Sequence, residues 1–558
     1  MRNPIPIREI VLIAVVSLIA APGVNTAQTA NTAQAASSAQ SYRIAGVVVR
    51  KSDANPLARA RIVVRDVKNP GKFETMITGD DGKFEFTGVP AGKYSLSGAK
   101  RGFISAAYDQ HDQYSTAIVT GAGLDTESLV FKLSPDALIS GAVIDEAGDP
   151  VRHAQVMLYV EDHAEGRDRI HMWRSAQTND LGAYEVTGLM PGTYFLAASG
   201  QPWYAMHPSS NAGPSGSRQK SESAAFDRSL DVAYPVTYFA DVTDADSATP
   251  IVIRGGEHLQ LDIHFTPVSS LHLVFHTPGN ARNTFAMPRF ETPTFDGSAQ
   301  VQTSFTQNST GGLEISGVPA GRYNIQFWGS SSNSAELDGV NLTEDGEEID
   351  LSAAQALSTV KVSVGMIDEA APAKGIVIGL RARSRTAERW SGIDSKGVAE
   401  FQQVSAGKYE VGVGGVGGPY SISQLSADGA GVAGRVVTID AGTSPSLSVR
   451  LTAASTNVEG TVKKEGKAFA GAMVVLVPKD SEADRDLFRR DQSDLDGTFV
   501  LQGVVPGSYT VLAIENGWDL NWAEPAVIAA YAKHGRRVQV GSQPGHPINL
   551  DDVQVQSK

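Results

Sequence analysis

The chain has 558 residues, 41% of them apolar and 19% charged, a formal net charge of −14 and no cysteine. That length exceeds what one hydrophobic core organises, so several domains are expected. Disulfides and thiolate metal sites are excluded outright, and scattered acidic residues without a Lys/Arg cluster argue against a nucleic-acid partner.

At the amino end, Arg2 and Arg8 precede an apolar run over residues 10–21. The run is too short to cross a bilayer as a mature helix and has the layout of a secretory signal, residues 1–27. Ala27 is a candidate last residue, and Ala33-Gln34-Ala35 is an alternative small-x-small site. The expected product is exported, to the periplasm, the cell surface or the exterior, with no transmembrane anchor after signal cleavage. Residues 28–41 are mostly Ala, Gln, Ser, Thr and Asn; they have little to bury and read as a flexible lead-in.

One pattern then recurs. In the first predicted domain, 42–134, Gly46-Val47-Val48-Val49 is a strand, Asp53-Ala54-Asn55-Pro56 a turn and Ala60-Arg61-Ile62-Val63-Val64 a second strand. Asp81-Gly82 supplies the positive φ of a tight hairpin turn. Phe84 and Phe86 follow two apart on one face of a strand, with Glu85 on the other. Gly88, Pro90 and Gly92 read as a surface turn between strands, and Tyr94 opens the next strand, where its hydroxyl would close a corner on nearby backbone. Leu129-Val130-Phe131-Lys132-Leu133 is the closing strand. The hairpin and its tyrosine return at Tyr194, Tyr323, Tyr409 and Tyr509, at intervals of 86 to 129 residues, which is domain spacing and not solenoid spacing.

The second domain, 135–267, repeats the strand order through Gly141, Val143, Asp145, Gly148, Pro150, Ala154 and Val156, then Gly182, Tyr184, Gly188, Leu189, Pro191, Gly192 and Tyr194. This series resembles the carboxypeptidase regulatory-like domain family. The resemblance implies a transthyretin-like Greek-key β-sandwich of seven strands, a non-catalytic appendage that brings no peptidase chemistry. It covers domains one, two and five well, four in part, and three only through the hairpin. The fold class expected is therefore all-β, with tandem Greek-key β-sandwich domains of transthyretin-like or immunoglobulin-like kind.

An insertion at 201–249 interrupts the second copy and holds Trp203, Tyr204, His207, Tyr234, Tyr238 and Phe239 around a Ser/Gly/Lys-rich middle, 209–223. Long loops at the ends of sandwiches are where function is commonly placed; pinning the loop onto the sandwich is an equal alternative for these aromatics. The third domain, 268–354, is degenerate. The fourth, 355–452, has lost the middle glycine of the hairpin. The fifth, 453–558, carries a predicted helix over 525–534, with Pro525 in its first turn and Gly535 just past its end, expected beside Trp518 and Trp522.

Reactive constellations are weak. The histidines show no peptidase spacing; His258, His264, His272 and His276 cluster in sequence but fit surface positions better than a metal site. Asp494-Leu495-Asp496-Gly497 starts like a calcium loop but lacks the later Glu and reads as a hairpin turn. Gly412-Val413-Gly414-Gly415-Val416-Gly417 matches a dinucleotide fingerprint by letter but precedes Pro419, not a helix. No nucleophile set, metal or cofactor is assigned, and the chain is expected not to be an enzyme. What remains is aromatic. Of Trp173, Trp203, Trp328, Trp390, Trp518 and Trp522, those beside strand ends suit stacking on sugars. The candidate ligand-binding residues are Trp203, Tyr204, Tyr238, Trp518 and Trp522, with a polysaccharide or an envelope or surface protein as partner. The alternatives are a structural spacer or scaffold contacting envelope proteins, and a hydrolase or peptidase accessory protein.

Overall fold

The structure, a computed structural model, describes residues 41–163, 165–207, 227–276, 288–307, 313–327, 335–350, 354–368, 372, 374–382, 388–415, 420–482, 484–542 and 545–558. The expected signal and nearly all of the lead-in, the middle of the insertion at 209–223, and Trp328 lie outside these residues.

The first module shows how alternation builds the sandwich. Tyr42–Arg50 pairs antiparallel with Lys83–Val89 and parallel with Leu129–Leu133. The facing sheet runs Phe73–Ile77, Arg61–Asp66, Gly92–Ala99, with Ile118–Thr120 beside the last. Ile62, Val64, Phe84, Phe86, Tyr94, Leu96 and Phe131 are buried between the sheets, while Arg61, Lys83 and Glu85 point out, as a period of two demands. The same arrangement, a first strand antiparallel to the hairpin strand and parallel to the closing strand, recurs four more times. The third module, matched in sequence only by its hairpin, thus has the same strand pairing. Each of the five sandwiches encloses its own apolar cluster, so the molecule is all-β with tandem β-sandwich modules.

Two local features explain the recurring motif. All five tyrosines turn back and donate a hydroxyl hydrogen bond to the carbonyl four residues earlier: Tyr94 to Pro90 (3.1 Å), Tyr194 to Met190 (2.9 Å), Tyr323 to Pro319 (2.6 Å), Tyr409 to Ser405 (2.8 Å) and Tyr509 to Val505 (2.9 Å). Their role is the corner, not a ligand. The first glycine of the turn run, by contrast, lies inside the hairpin strand. Pairing slips by a residue beside Gly88, Gly188, Gly317 and Gly503, all at φ between +64° and +82°, so this glycine makes a β-bulge and the turn itself begins one residue later. In the fourth module Gln403 takes that place at φ +57°, with the same slip. It adopts a left-handed conformation that disfavours a side chain by about 1–2 kcal/mol.

The helix is Pro525–Ala532. Proline fits its first turn because the missing N–H would have no partner there. Ile528 is buried and packs with Trp522, Phe488 and the outward face of the fifth sandwich.

Candidate functional site

The predicted ligand aromatics separate into two groups. Trp518 lies between modules: its ring stacks on His111 of the first module (4.9 Å between centroids, 6° between planes) and its Nε1 donates to Gly471 O at 3.3 Å. Trp522 is buried against Phe488, with the Arg490 guanidinium 4.3 Å from its centroid. Tyr238, 2% exposed, sits in a cluster with Met157, Tyr159 and Ala197 that is closed by Phe295 and Ala299 of the third module. The expected ligand-stacking role is therefore corrected for Tyr238 and Trp522, whose rings have no free face, and for Trp518, one of whose faces is taken by His111. Of the remaining described tryptophans one is packed away and one, Trp390, is 48% exposed. Trp173 packs on the second core, and Trp390 lies across Gly379, where a Cβ would come within 2.9 Å of its ring.

Trp203 differs, being 83% exposed. Its ring stands edge-on to that of Tyr204 (5.9 Å, 87°). The hydroxyl of Tyr204 donates to Glu146 Oε1 and that of Tyr234 to Glu146 Oε2 at 3.1 Å, so one carboxylate of the second module's first turn ties both ends of the insertion down. Tyr234 is buried and stacked on Phe265 (4.6 Å, 22°). Burial first, then the hydrogen bond to Glu146 and its charge, hold the Tyr204 hydroxyl up at about 12; the same causes push Tyr234 upward. Both phenols therefore stay protonated donors, and the site is an exposed indole ring beside an acidic, hydroxyl-rich patch. Sequence reading found Trp203 and Tyr204 but missed Glu146, because nothing in its spacing links it to a tyrosine 58 residues away.

A second polar group occupies the boundary of the second and third modules. Asp231 accepts from or pairs with His207 Nδ1 (3.1 Å) and His272 Nε2 (2.6 Å), and His272 Nδ1 lies 3.3 Å from Glu314 Oε1. A cavity of about 20 Å³, enough for one water, lies beside His207, Tyr234, Gln300 and Gly317. Burial disfavours a charged His272, but the Glu314 and Asp231 carboxylates outweigh it and raise its pKa. His264 instead pairs with Asp241 (3.0 Å), so the histidines clustered in sequence are divided in space. Among the described residues no three His, Asp or Glu side chains are grouped to hold a metal. The Asp494 and Asp496 carboxylates are likewise spent: Asp494 on Lys93 Nζ (2.7 Å) and Ala117 N (2.8 Å) of the first module, Asp496 on Thr498.

Residues 43–131 match the carboxypeptidase regulatory-like domain family, so the first module is a domain of that kind. No curated protein matches the chain. Similar solved structures include the Bacillus anthracis TIE protein (11% identity, 74% of this chain and 75% of that one, TM-score 0.17). They also include GBS52, the minor pilin of Streptococcus agalactiae (13%, 43% and 98%, 0.19), and BcpA, the major pilin subunit of Bacillus cereus (10%, 74% and 99%, 0.15). At these scores the likeness says nothing of role.

Proposed function

We propose that this chain is an exported, non-enzymatic, multidomain binding protein of the cell envelope, and that its ligand is a polysaccharide received at Trp203. The observation that carries the reading is the Trp203 ring, 83% exposed, beside the Tyr204–Glu146–Tyr234 group. An isolated surface indole of that size is unusual, and sugar rings stack on such faces while neighbouring carboxylates and hydroxyls orient them. The export part rests on the charged-then-apolar amino end; among the described residues no helix is long and apolar enough to cross a membrane, which leaves strand-built spans unaddressed. Retention of the chain on a panel of immobilised glycans tests the binding. Trp203→Ala should abolish retention without changing the melting temperature, and Glu146→Gln should weaken it. Retention on no glycan, or retention unmoved by Trp203→Ala, refutes the proposal.

A scaffold reading is favoured by a separate observation. The fifth module touches the first through Lys93–Asp494, the second through Arg167–Glu524 (2.9 Å), and the fourth through Arg435, which is clamped by Asp484 and Asp486. Such a body suits a spacer that holds envelope proteins at fixed separation. Crosslinking in the native envelope tests it, and recovery of the chain without any protein attached counts against it.

A further inference from the structure

The outward face of the sheet that holds the corner tyrosine is handled differently from module to module. In the second it is apolar (Met157, Tyr159, Ala197) and covered by Phe295 and Ala299 of the third. In the fifth it is apolar (Met473, Val475, Leu512) and covered by Phe488, Trp522 and Ile528. The edge strands of these sheets are guarded as well. Arg169–Gln177 carries Arg169, His171 and Arg174, Glu388–Gly392 opens with Glu388 and Arg389, and Arg489–Gln492 is packed against the first module, with Arg490 on Asp112.

In the first module the charges sit one strand in, on Arg61 and Arg65, the Arg65 guanidinium lying 5.0 Å from the Phe73 ring centroid, and the edge strand itself is less guarded. Its edge strand, Phe73–Ile77, reads Phe-Glu-Thr-Met-Ile, with one charge in five residues and no proline. Phe73 is 57% and Ile77 56% exposed, and they share the outward face with Thr75, since they pair with Arg65, Arg61 and Val63 of the neighbouring strand. An open edge of this kind is a template for another strand. Its free groups can be identified. Thr78 N donates to Ala60 O and Asp66 N to Lys72 O, so the polar groups of the even-numbered residues face inward. By alternation those of Phe73, Thr75 and Ile77 point away from the sheet.

We propose that this edge pairs with the same edge of a second copy, antiparallel about a two-fold axis through Thr75. The register follows from the residues. Centred on Thr75, Phe73 faces the second copy's Ile77 twice, threonine faces threonine and Glu74 faces Met76; about six backbone bonds form between the outward groups. Apolar and Thr–Thr cross-strand pairs of this sort are favourable. Centred one residue earlier, Glu74 would oppose itself and Ile77 would face Gly71, so like charges and lost apolar pairs reject that register. A two-fold contact uses one patch on both copies and closes, which is how an unguarded edge escapes open-ended aggregation. The pairing is independent of the glycan site.

Sedimentation velocity of the full chain should show twice the single-chain mass, dissociating on dilution. Phe73→Lys with Ile77→Lys should return it to the single-chain mass with an unchanged melting temperature. Because the chain has no cysteine, single thiols report the geometry without interference. Thr75→Cys places two sulfurs across a pair whose Cα separation of about 5.5 Å permits a disulfide, so mild oxidation should give a covalent dimer. Glu74→Cys, whose mate is Met76 on the other face, should not. A single-chain mass at every concentration together with no excess of Thr75→Cys crosslink over Glu74→Cys overturns the proposal, as does a dimer that survives both lysines.

Discussion

Replacing Trp518 by alanine tests whether the aromatics of the fifth module are interface or ligand surface. The ring stacks on His111 and lies 5.9 Å from the Arg490 guanidinium, and its Nε1–H donates to Gly471 O. An aromatic pair is worth about 0.5–1.5 kcal/mol, a cation–π contact about 0.5–1 kcal/mol and a hydrogen bond about 1 kcal/mol net. Trp518 is only partly buried, so the sum, about 2–3.5 kcal/mol, belongs at or below the low end of the roughly 3–5 kcal/mol of a fully buried ring. Of these three terms the stacking on His111, about 0.5–1.5 kcal/mol, is the one that crosses between the first and fifth modules, because Gly471 and Arg490 belong to the fifth. At about 1.4 kcal/mol per factor of ten, separation there should become roughly 2- to 10-fold more populated. Hydrogen exchange reads it directly, at the Ala117 amide that donates to Asp494 and the Leu495 amide that donates to Ala117 O. Both should speed up while core amides such as Val458 do not, and glycan retention should be untouched. Exchange unchanged at both amides, or retention lost with the contact intact, refutes this account of Trp518.

Tyr238→Ala removes a fully buried ring from the cluster shared by the second and third modules and should cost about 3–5 kcal/mol, read as a lower melting transition with glycan retention unchanged below it. His272, flanked by Glu314, Asp231 and the Asp345 carboxylate that accepts its backbone N–H, has a raised pKa. Its stabilisation is full below the unfolded value near about 6.5 and is lost as pH rises through the higher folded value; amides of Leu271–His276 should exchange faster across that window, and His272→Gln should flatten the response. Asp491 is pushed up to about 6, mainly by burial. The folded chain therefore binds this proton more tightly than the unfolded one, and stability should fall as pH rises from about 4 to about 6. Asp491→Asn should remove that fall in pH-dependent denaturation curves, and an unchanged curve would show that the buried group does not titrate there.

The corner tyrosines and hairpin glycines were readable because each acts within a few residues: a hydroxyl reaches four positions back, and a bulge needs one left-handed residue. Position 403 shows the limit even there, since glutamine fills the glycine's conformation and hid the fourth copy's regularity. The fate of Trp518, Trp522 and Tyr238 was not readable, because what covers them lies far away in the chain or in another module. Trp203 was legible as an aromatic in a long insertion, yet its exposure depends on Glu146 pinning Tyr204 and Tyr234, a three-body arrangement without sequence periodicity. Phe73–Ile77 was passed over because a short, weakly alternating strand looks like any other until its neighbours are known to be guarded.

Lys93 and Asp494 meet although they stand 401 positions apart in the chain. The first of the five described modules is therefore completed by the fifth, and until the ribosome has passed Gly497 the loop around Thr116 lacks the partner it meets at Ser493 and Asp494. Premature termination in the fifth module should thus leave the opening module folded but with a raw polar seam, a ready mark for quality-control proteases. The same loop closure means that a pull on the two ends of 42–558 would load that seam before any single sandwich.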